Sequence, residues 1–477
     1  ALYDQLKNMI GGDDESTPPT VENVDYNGTT IETITGTGDE ATPASLALVG
    51  ETVVLAANPA DIEPIVDTVN GDLEPLSSNQ QFAEVRRSLE GPSLSFGYAN
   101  GAVIVEQLAT EEPAAADFTE GMAGYFGWNA YVDDSGFRLD TVAIPAEGAE
   151  PGMVAAFDPT FAEKVPADTL YFLNGNNLAE SGIFDLFGFA LQASLAGTGT
   201  DISATPVATP TVDDVYAQLE SQLGFNLKTD LFDQLDGEFA LAVNVDQIFS
   251  EEPVTDAVFV SDVADEMSVA DVASKISFIL NSSLEEGATL SEREVTGGTV
   301  TSITIDESST GGFSVVLEYG VVDGQLLIGV NNGIDNYLDG TTDTLARDPN
   351  FQQTMSALPQ ENIVGVQYLS LAKLLPMIEE AAMGVSASTS VLDNDMACGE
   401  YATQEEAQAA YDADSIGLWN LDLDYDGMAC EDFFTVAASP VASPASVSEN
   451  LNLVSLGTVS YTEEDTYKTS TLLLVGE

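Results

Sequence analysis

The sequence predicts an α+β protein, and three observations support this prediction. Apolar and polar residues alternate in pairs of segments that meet at turn residues, as in the hairpin predicted over residues 124–144. Amphipathic helical segments, such as residues 80–89, lie between these pairs. The same order of segments recurs about 270 residues later. The pattern indicates two related repeats of antiparallel sheet with packed helices.

The first repeat is predicted over residues 1–150. Apolar residues on one face, among them Leu2, Leu6 and Ile10, predict an opening helix over residues 1–10. The segments that follow are strands over 29–35 and 45–57, helices over 60–69 and 80–89, a strand over 94–98, a short helix near 103–108 and the hairpin over 124–144.

The second repeat is predicted over residues 151–390. Gly298 matches Gly28 of the first repeat, and Tyr368 matches Tyr98. Residues 165–270 come before these matched segments and have no counterpart in the first repeat. We therefore expect a layer of strands and helices that the first repeat lacks. A neighbouring chain would complete that repeat in trans; residues outside this sequence that fold in cis are the alternative.

The closing hairpin of the second repeat, residues 451–477, is offset from its counterpart by about 330 residues, whereas the other segments are offset by about 270. The additional residues comprise a compact module over 391–435 and a linker over 436–450, rich in Ser, Pro and Ala. The module is therefore predicted to be a small insertion in the second repeat.

The inserted module contains an acidic run in which Asp422, Asp424 and Asp426 alternate and a glycine follows at once. Calcium takes about six to eight oxygen ligands in a flexible shell, and alternating carboxylates in a tight loop supply them. The glycine lets the chain turn back towards the ion. The carbonyl of Met428 and the carboxylate of Glu431 complete the predicted calcium site. A solvated acidic turn is the alternative.

Cys398 and Cys430 are the two cysteines of the chain, and both belong to this module. An even pair in one small module predicts a disulfide. The bond would close a loop of about 30 residues, worth roughly 3–4 kcal/mol in the chain-entropy model. A module too small to build a large core needs such a covalent link. The full prediction is two repeats plus a disulfide-stapled calcium-binding insertion.

Residues 393–434 resemble the Excalibur module, an extracellular calcium-binding region of bacterial surface proteins. The resemblance rests on Cys398, the Glu-Glu-Ala-Gln run at 405–408, Tyr411 and the acidic run at 422–431. It implies that Asp422, Asp424, Asp426 and Glu431 are calcium ligands and that Cys398 is bonded to Cys430. The glutamate stands at the tenth loop position and not at the twelfth, so EF-hand affinities do not carry over.

Much of the remaining chain resembles the bacterial domain-of-unknown-function family three-three-five-two, whose members are secreted or membrane-anchored. The resemblance rests on the Pro-Ala-Asp-Thr-Leu-Tyr-Phe run at 166–172, on residues 219–237, and on the spacing of Leu345 and Phe351. These are packing motifs. The resemblance therefore implies a fold and no activity.

The charge of the chain restricts the partners it can have. The 477 residues include 80 Asp and Glu against 11 Lys and Arg, which gives a net charge of −69. This excess repels nucleic acid and anionic membrane surfaces. Divalent cations or salt would screen the self-repulsion, and a halophilic surface is the alternative explanation. Hydrophobic residues make up 44% of the chain, which predicts a globular protein.

The residue types that are missing exclude several kinds of site. The chain has no histidine, which removes a Ser-His-Asp triad, a histidine base and histidine metal ligands. Two cysteines cannot form a structural zinc site unaided. The longest apolar run, residues 183–195, contains Asp185 and Gln192, so no transmembrane segment is predicted.

The sequence favours a secreted, non-catalytic, calcium-binding protein of the cell surface or extracellular matrix that self-assembles into filaments. An adhesin or glycan-binding module is the first alternative, because Trp128 and Trp419 could stack on sugar rings. An enzyme that uses a pair of carboxylates is the second. The 80 acidic residues make such pairs easy to find by chance, so the pattern gives this second alternative no support.

Overall fold

The computed structural model describes thirteen stretches of the chain, together with residues 3, 217 and 219–221. The stretches are residues 20–35, 43–89, 91–111, 124–146, 155–180, 223–245, 255–283, 287–306, 314–340, 343–378, 403–413, 452–463 and 466–476. The chain packs as two compact units, Ala1–Glu90 and Gly91–Glu477, which we describe separately. The repeat boundary predicted at residue 150 concerns likeness in sequence, so this division by contacts does not test it.

The first unit contains a four-stranded antiparallel sheet whose strands lie side by side in chain order. Its elements are β1 Thr20–Tyr26, β2 Thr29–Thr35, β3 Ala44–Val49, β4 Thr52–Ala56, α1 Pro59–Asn70, a 3-10 helix Leu76–Ser78 and α2 Gln80–Ser88. Helix α1 packs on one face of the sheet, where Ile31, Val49 and Val54 meet Ile62 and Val66 in a buried cluster.

Local sequence explains where these elements turn and end. Asn27 and Gly28 form the two-residue turn between β1 and β2, with φ of 45° and 85°. Both residue types tolerate this left-handed region, which two-residue hairpins require. Helix α1 begins after Asn58, whose backbone amide donates to the Asp61 carboxylate at 3.2 Å. Gly71, with φ of 85°, ends the helix.

The second unit contains a 13-stranded sheet in which every pair of neighbours is antiparallel. Its strands are β5 Ser95–Asn100, β6 Tyr125–Asp133, β7 Gly136–Ile144, β8 Tyr171–Asn176, β9 Glu238–Val245, β10 Thr255–Asp262, β11 Ala288–Val295, β12 Gly298–Ile305, β13 Val315–Val322, β14 Gln325–Val330, β15 Ile363–Ser370, β16 Leu453–Glu463 and β17 Thr466–Val475. The order across the sheet is β11-β12-β13-β14-β10-β9-β8-β15-β16-β17-β7-β6-β5.

Helices of this unit join or cover the strands. They are α3 Gly101–Glu111, α4 Leu227–Asp230, α5 Glu266–Ser283, α6 Gly333–Leu338, α7 Pro349–Ser356 and α8 Gln404–Ala413, with 3-10 helices Phe161–Glu163, Leu178–Glu180, Phe232–Gln234 and Leu345–Arg347. Residues 371–378 are also helical. The α+β class predicted from the sequence is confirmed by these helices and antiparallel strands.

The core of the second unit is aromatic where α7 meets the sheet. Phe351 on α7 packs edge-on against Tyr368 and Phe172, with ring centroids 5.1 and 6.2 Å away. Gly457 on β16 lets α7 approach closely, because a Cβ built there would lie 2.3 Å from Thr354 Cγ2. Burial of such aromatic side chains is a major stabilising contribution in protein cores.

Apart from α8, the described elements of residues 20–144 and of residues 288–475 follow one another in the same order, and the strand pairs share their register. Tyr98 faces Gly127 where β5 pairs with β6, and Tyr368 faces Gly457 where β15 pairs with β16. The two closing hairpins meet side by side through β7 and β17. Asp140 and Ser470 stand opposite each other at the middle of this seam.

Several predicted elements agree with the structure. Residues 29–35 form β2 and residues 124–144 form the β6–β7 hairpin. The predicted break at Gly50 and Glu51 is confirmed as the turn between β3 and β4. The predicted helix over 1–10 lies outside the described residues, apart from helical Tyr3, and so does the apolar run at 183–195.

Candidate functional site

The predicted calcium site lies outside the described residues. This applies to Asp422, Asp424, Asp426, Met428 and Glu431. The site and its ion therefore stay predictions. In the part of the chain that the structure describes, no group of three or more His, Cys, Asp or Glu side chains could hold a metal ion.

The two cysteines also lie outside the described residues, so the predicted disulfide between Cys398 and Cys430 is untested. Helix α8 is the described part of the predicted module. It includes the Glu-Glu-Ala-Gln run at 405–408 and Tyr411. Ala407 is fully buried, and its amide donates to the Thr403 carbonyl at 3.2 Å.

An acidic groove that sequence reasoning missed lies between α6 and the segment before β8. It has a volume of about 450 Å³ and is lined by Pro166, Ala167, Asp168, Asn336, Asp339 and Asp343. Three carboxylates in one groove attract cations. A cationic side chain, that of Lys373, lies nearby, and its Nζ is 2.8 Å from the Ala167 carbonyl oxygen. Burial lowers the pKa of Lys373, although the charges of Asp348 and Asp168 act in the opposite direction.

Asparagine amides hold the carboxylates beside this groove. Asn244 Nδ2 donates to Asp168 Oδ2 at 2.8 Å, and Asn336 Nδ2 donates to Asp256 Oδ2 at 3.3 Å. The amide of Asn332 donates to the other oxygen of Asp256 at 3.2 Å. Neutral donors satisfy these carboxylates without cancelling their charge. These hydrogen bonds therefore leave the negative charges of Asp168 and Asp256 in place.

An ion pair between buried Glu318 and partly exposed Arg293 links the outer strands of the large sheet, and Arg293 also pairs with Asp335 at 2.8 Å. Glu318 on β13 accepts from Arg293 Nε at 3.1 Å and from Arg293 Nη2 at 2.9 Å. Ser302 Oγ donates to the same carboxylate at 2.5 Å. Burial raises the pKa of Glu318, but these hydrogen bonds and the charge of Arg293 outweigh burial and hold the pKa below its ordinary value. The arrangement is structural, because all its groups are paired.

A second polar cluster lies at the seam between β7 and β17. Ser470 Oγ donates to Asp140 Oδ1 at 2.6 Å, and Tyr131 donates to Asp140 Oδ2 at 2.9 Å. Arg138 donates to Asp133 at 2.8 Å and to the carbonyl of Ala357. Burial and the hydrogen bond to Asp140 raise the pKa of Tyr131 to about 12. This cluster joins the two closing hairpins with hydrogen bonds.

An exposed apolar patch covers one face of the β6–β7 hairpin. Trp128, Val132, Phe137 and Leu139 are 41%, 48%, 46% and 38% exposed. Val132 faces Phe137 across the hairpin, so their side chains share a face with Trp128. On β16 the positions that correspond to Trp128 and Val132 hold Thr458 and Thr462. The apolar patch is therefore specific to the first hairpin. Trp419 lies outside the described residues.

Helices of the described residues include none that is long and apolar enough to cross a membrane. No curated protein and no solved structure matches the chain.

A family model does match, and it covers residues 6–394 under the description "Protein of unknown function (DUF3352)". The resemblance to family three-three-five-two that residues 166–172 and 219–237 carry is thereby confirmed. The resemblance of residues 393–434 to the Excalibur module stays a prediction. The chain belongs to the DUF3352 family of proteins of unknown function.

Proposed function

We propose that this protein is a secreted, non-catalytic, calcium-binding structural protein of the cell surface or extracellular matrix, and that its copies associate into filaments. The acidic run of Asp422, Asp424 and Asp426, closed by Glu431, is the observation that carries the proposal. Alternating carboxylates beside a glycine are typical of calcium loops.

The overall charge gives calcium a second effect. A net charge of −69 makes copies of the chain repel one another. A divalent cation bound by carboxylates reduces this repulsion locally, because it neutralises adjacent charges together. Calcium therefore favours association of copies as well as folding of the predicted module. The disulfide between Cys398 and Cys430 would hold that module closed.

We also propose that residues 20–144 and 288–475 are two copies of one ancestral repeat, and that the calcium module is an insertion in the second copy. The shared order of elements supports this proposal. So does the shared register, in which Tyr98 faces Gly127 and Tyr368 faces Gly457. The inserted residues separate the helix at 371–378 from β16.

Calorimetric titration of the full chain with calcium tests the site. We expect Asp424→Ala to abolish the tightest binding event, because one carboxylate ligand is lost. Asp339→Ala is the matched control, since it removes a carboxylate from the acidic groove instead. Tight binding that survives Asp424→Ala but not Asp339→Ala would transfer the site to the groove and overturn the assignment.

Sedimentation and electron microscopy test the association. We expect filaments or oligomers in millimolar calcium and smaller species after chelation. A chain that stays monomeric in both conditions would contradict this part of the proposal. Intact mass with and without reductant checks the disulfide, and two free thiols in the native protein would exclude it.

The apolar patch on the β6–β7 hairpin favours an adhesin or ligand-binding module as a second candidate function. Trp128 presents a large ring that is 41% exposed, and aromatic rings stack on sugar faces. Glycan-array binding by the full chain tests this function, with Trp128→Ala as the variant. We take Val132→Ala as the control, because it removes exposed apolar surface without removing the ring. Equal glycan binding by both variants would reject a stacking role.

A further inference from the structure

Strand β4 follows β3 across a two-residue turn in the first unit, as β14 follows β13 in the second, so the two strands are counterparts. Val49 pairs with Thr52 across the turn between β3 and β4, and Val322 pairs with Gln325 across the turn between β13 and β14. On its other side β14 pairs with β10. Among the strands that the structure describes, β3 is the one neighbour of β4.

The two sheets agree in their cores as well as in their turns. Ile31 pairs with Ala47 in one sheet, and Val300 pairs with Gly320 in the other. The buried residues at matching positions are Ile31, Val49 and Val54 in the first unit, and Val300, Val322 and Leu327 in the second. The sheets therefore differ mainly in what lies beyond β4 and β14.

Charge distinguishes β4 from the outer strands at the opposite ends of these sheets. The outer strand β1 carries Glu22 and Asp25, and the outer strand β11 carries Glu292, Arg293 and Glu294. Such charges protect an open edge against pairing with another chain. Strand β4 reads Thr-Val-Val-Leu-Ala and has neither a charge nor a proline. Its counterpart β14 has none either, and that strand is flanked on both sides.

Strand β5 also has the composition of a flanked strand although it stands at the end of the sheet among the described strands. It reads Ser-Phe-Gly-Tyr-Ala-Asn, without a charge, and stands last in the order of the described strands of its sheet. Its counterpart β15 lies between β8 and β16. The three neighbouring strands β8, β9 and β10 thus lie between β14 and β15: β10 pairs with β14, and β8 pairs with β15. The counterparts of those two strands, β4 and β5, share the uncharged composition of flanked strands.

We propose that β4 is an acceptor edge, which pairs antiparallel with a β10-type strand supplied in trans by a neighbouring polypeptide. The occupant is a segment like Ala257–Ser261, Ala-Val-Phe-Val-Ser, which belongs to the strand that covers β14 in this chain. It is the first strand of a three-stranded layer of the β8-β9-β10 type. The inference rests on the association proposed above and names the strand through which it occurs.

Backbone geometry identifies the amides that would receive the strand. In a two-residue hairpin the closing pair is hydrogen-bonded, so Thr52 and Val54 direct their amides to β3. The amides of Val53 and Leu55 then point away from β3, to the side on which no strand of the described residues pairs with β4. Strand β14 agrees, because Asn331, in phase with Gln325 and Leu327, donates its amide to Val316 on β13 at 2.7 Å.

Leu55→Pro is the informative variant, because it removes an outward amide from β4 while the Leu55 side chain is 54% exposed. Asn23→Pro is the matched control on β1, where the pairing of Tyr26 with Thr29 places the Asn23 amide outward too. A second pair of variants contains no added proline, because proline could prevent the chain from folding. Leu55→Lys adds a charge to β4, and Leu48→Lys adds the same charge to β3 at equal exposure, 54%.

The probe is a fluorescein-labelled synthetic peptide with the sequence of residues 255–262, added to the full chain. Fluorescence anisotropy measures binding, and hydrogen exchange locates it. We expect the peptide to slow exchange at the amides of Val53 and Leu55. Leu55→Pro should weaken binding about tenfold, the effect of one lost backbone hydrogen bond. Leu55→Lys should also weaken binding, whereas Asn23→Pro and Leu48→Lys should leave it unchanged.

The outcomes separate this inference from the proposed function. Unchanged exchange at Val53 and Leu55, or equal binding by all variants, would overturn the acceptor edge. Cross-links between two β4 strands would replace it with direct pairing of two copies. Calcium-dependent filaments that persist in Leu55→Pro would leave the proposed function standing without this edge. Peptide binding at β4 in a chain that never forms oligomers or filaments would support the acceptor edge and contradict the proposed association.

Discussion

Ser470 and Asp140 face each other across the seam between β7 and β17, and they are 330 residues apart in the chain. Ser470 Oγ donates to Asp140 Oδ1 at 2.6 Å, and the Ser470 side chain is buried. Arg138 Nη1 also donates to Ser470 Oγ, at 3.3 Å, so Ser470 joins two side chains of the β6–β7 hairpin to β17. Neighbouring residues on both strands pair symmetrically around it, with Leu139 opposite Thr471 and Thr141 opposite Thr469.

Ser470→Ala should lower the free energy of unfolding by about 1–3 kcal/mol, because Asp140 loses a donor in a partly buried place. Chemical denaturation measures this change. Ser356→Ala is the control, since the Ser356 hydroxyl bonds a carbonyl on the exposed side of α7. A loss no larger than that of the control would show that the hydrogen bond between Ser470 and Asp140 contributes nothing measurable.

Glu318→Ala should destabilise the fold by about 1–3 kcal/mol at neutral pH, because Ser302 loses its acceptor and Arg293, whose side chain is 34% exposed, retains the Asp335 carboxylate. The folded-state pKa of Glu318 lies below its ordinary value of 4.5. Its contribution is therefore present above the unfolded-state pKa and is lost as pH falls through the folded-state pKa. Urea unfolding at several pH values checks this. A difference between variant and wild type that stays constant below pH 4.5 would contradict it.

Gly457→Ala should destabilise the second unit by about 1–3 kcal/mol, because the added methyl would overlap Thr354 and Met355 on α7. Gly365→Ala on β15 is the matched control. Its added Cβ would lie 3.8 Å from the nearest atoms, which is ordinary contact. Thermal unfolding compares the two variants. Equal melting temperatures would show that α7 moves aside without cost.

Buried tyrosines should titrate late in the folded protein, and Tyr337, whose pKa is raised by burial, is one of them. Burial raises the pKa of Tyr131, Tyr368 and Tyr461 to about 12, from an ordinary value of 10.0. The raised values favour the neutral form, so the associated stability is present below pH 10 and is lost as pH rises towards 12. Ultraviolet titration with parallel circular dichroism measures both. Ionisation of every tyrosine near pH 10, while the fold persists, would refute the prediction.

Local patterns predicted the hairpin over 124–144 and the helices over 60–69 and 80–89 well, because turn residues and apolar periodicity act over a few positions. The turn at Gly50 and Glu51 is such a case, and so is the hairpin over 124–144. Pairing between distant strands was not predicted. Contacts such as β15 with β8 depend on shape and burial across long chain separations, which no local pattern encodes.

The candidate sites also differ in whether their residues are close together or far apart in the sequence. The acidic run at Asp422 was recognisable from spacing alone, since calcium loops use neighbouring residues. The groove of Asp168, Asp339 and Asp343 draws on distant segments. With 80 acidic residues in the chain, nothing in the sequence singled these three out. The Arg293–Glu318 pair was not predicted either, because its residues lie on β11 and β13, which do not follow each other directly in the chain.

The seam between β7 and β17 also determines when the sheet can close. At roughly 5–20 residues per second, synthesis of the chain between Asp140 and Ser470 takes roughly 15–65 seconds. Throughout that interval the side of β7 that β17 will cover has no partner from its own sheet. The two hairpins therefore protect each other only after β17 has left the ribosome. Contacts of such long range form slowly, so the nascent chain passes through a period in which β7, third from one end of the finished sheet, is an open edge.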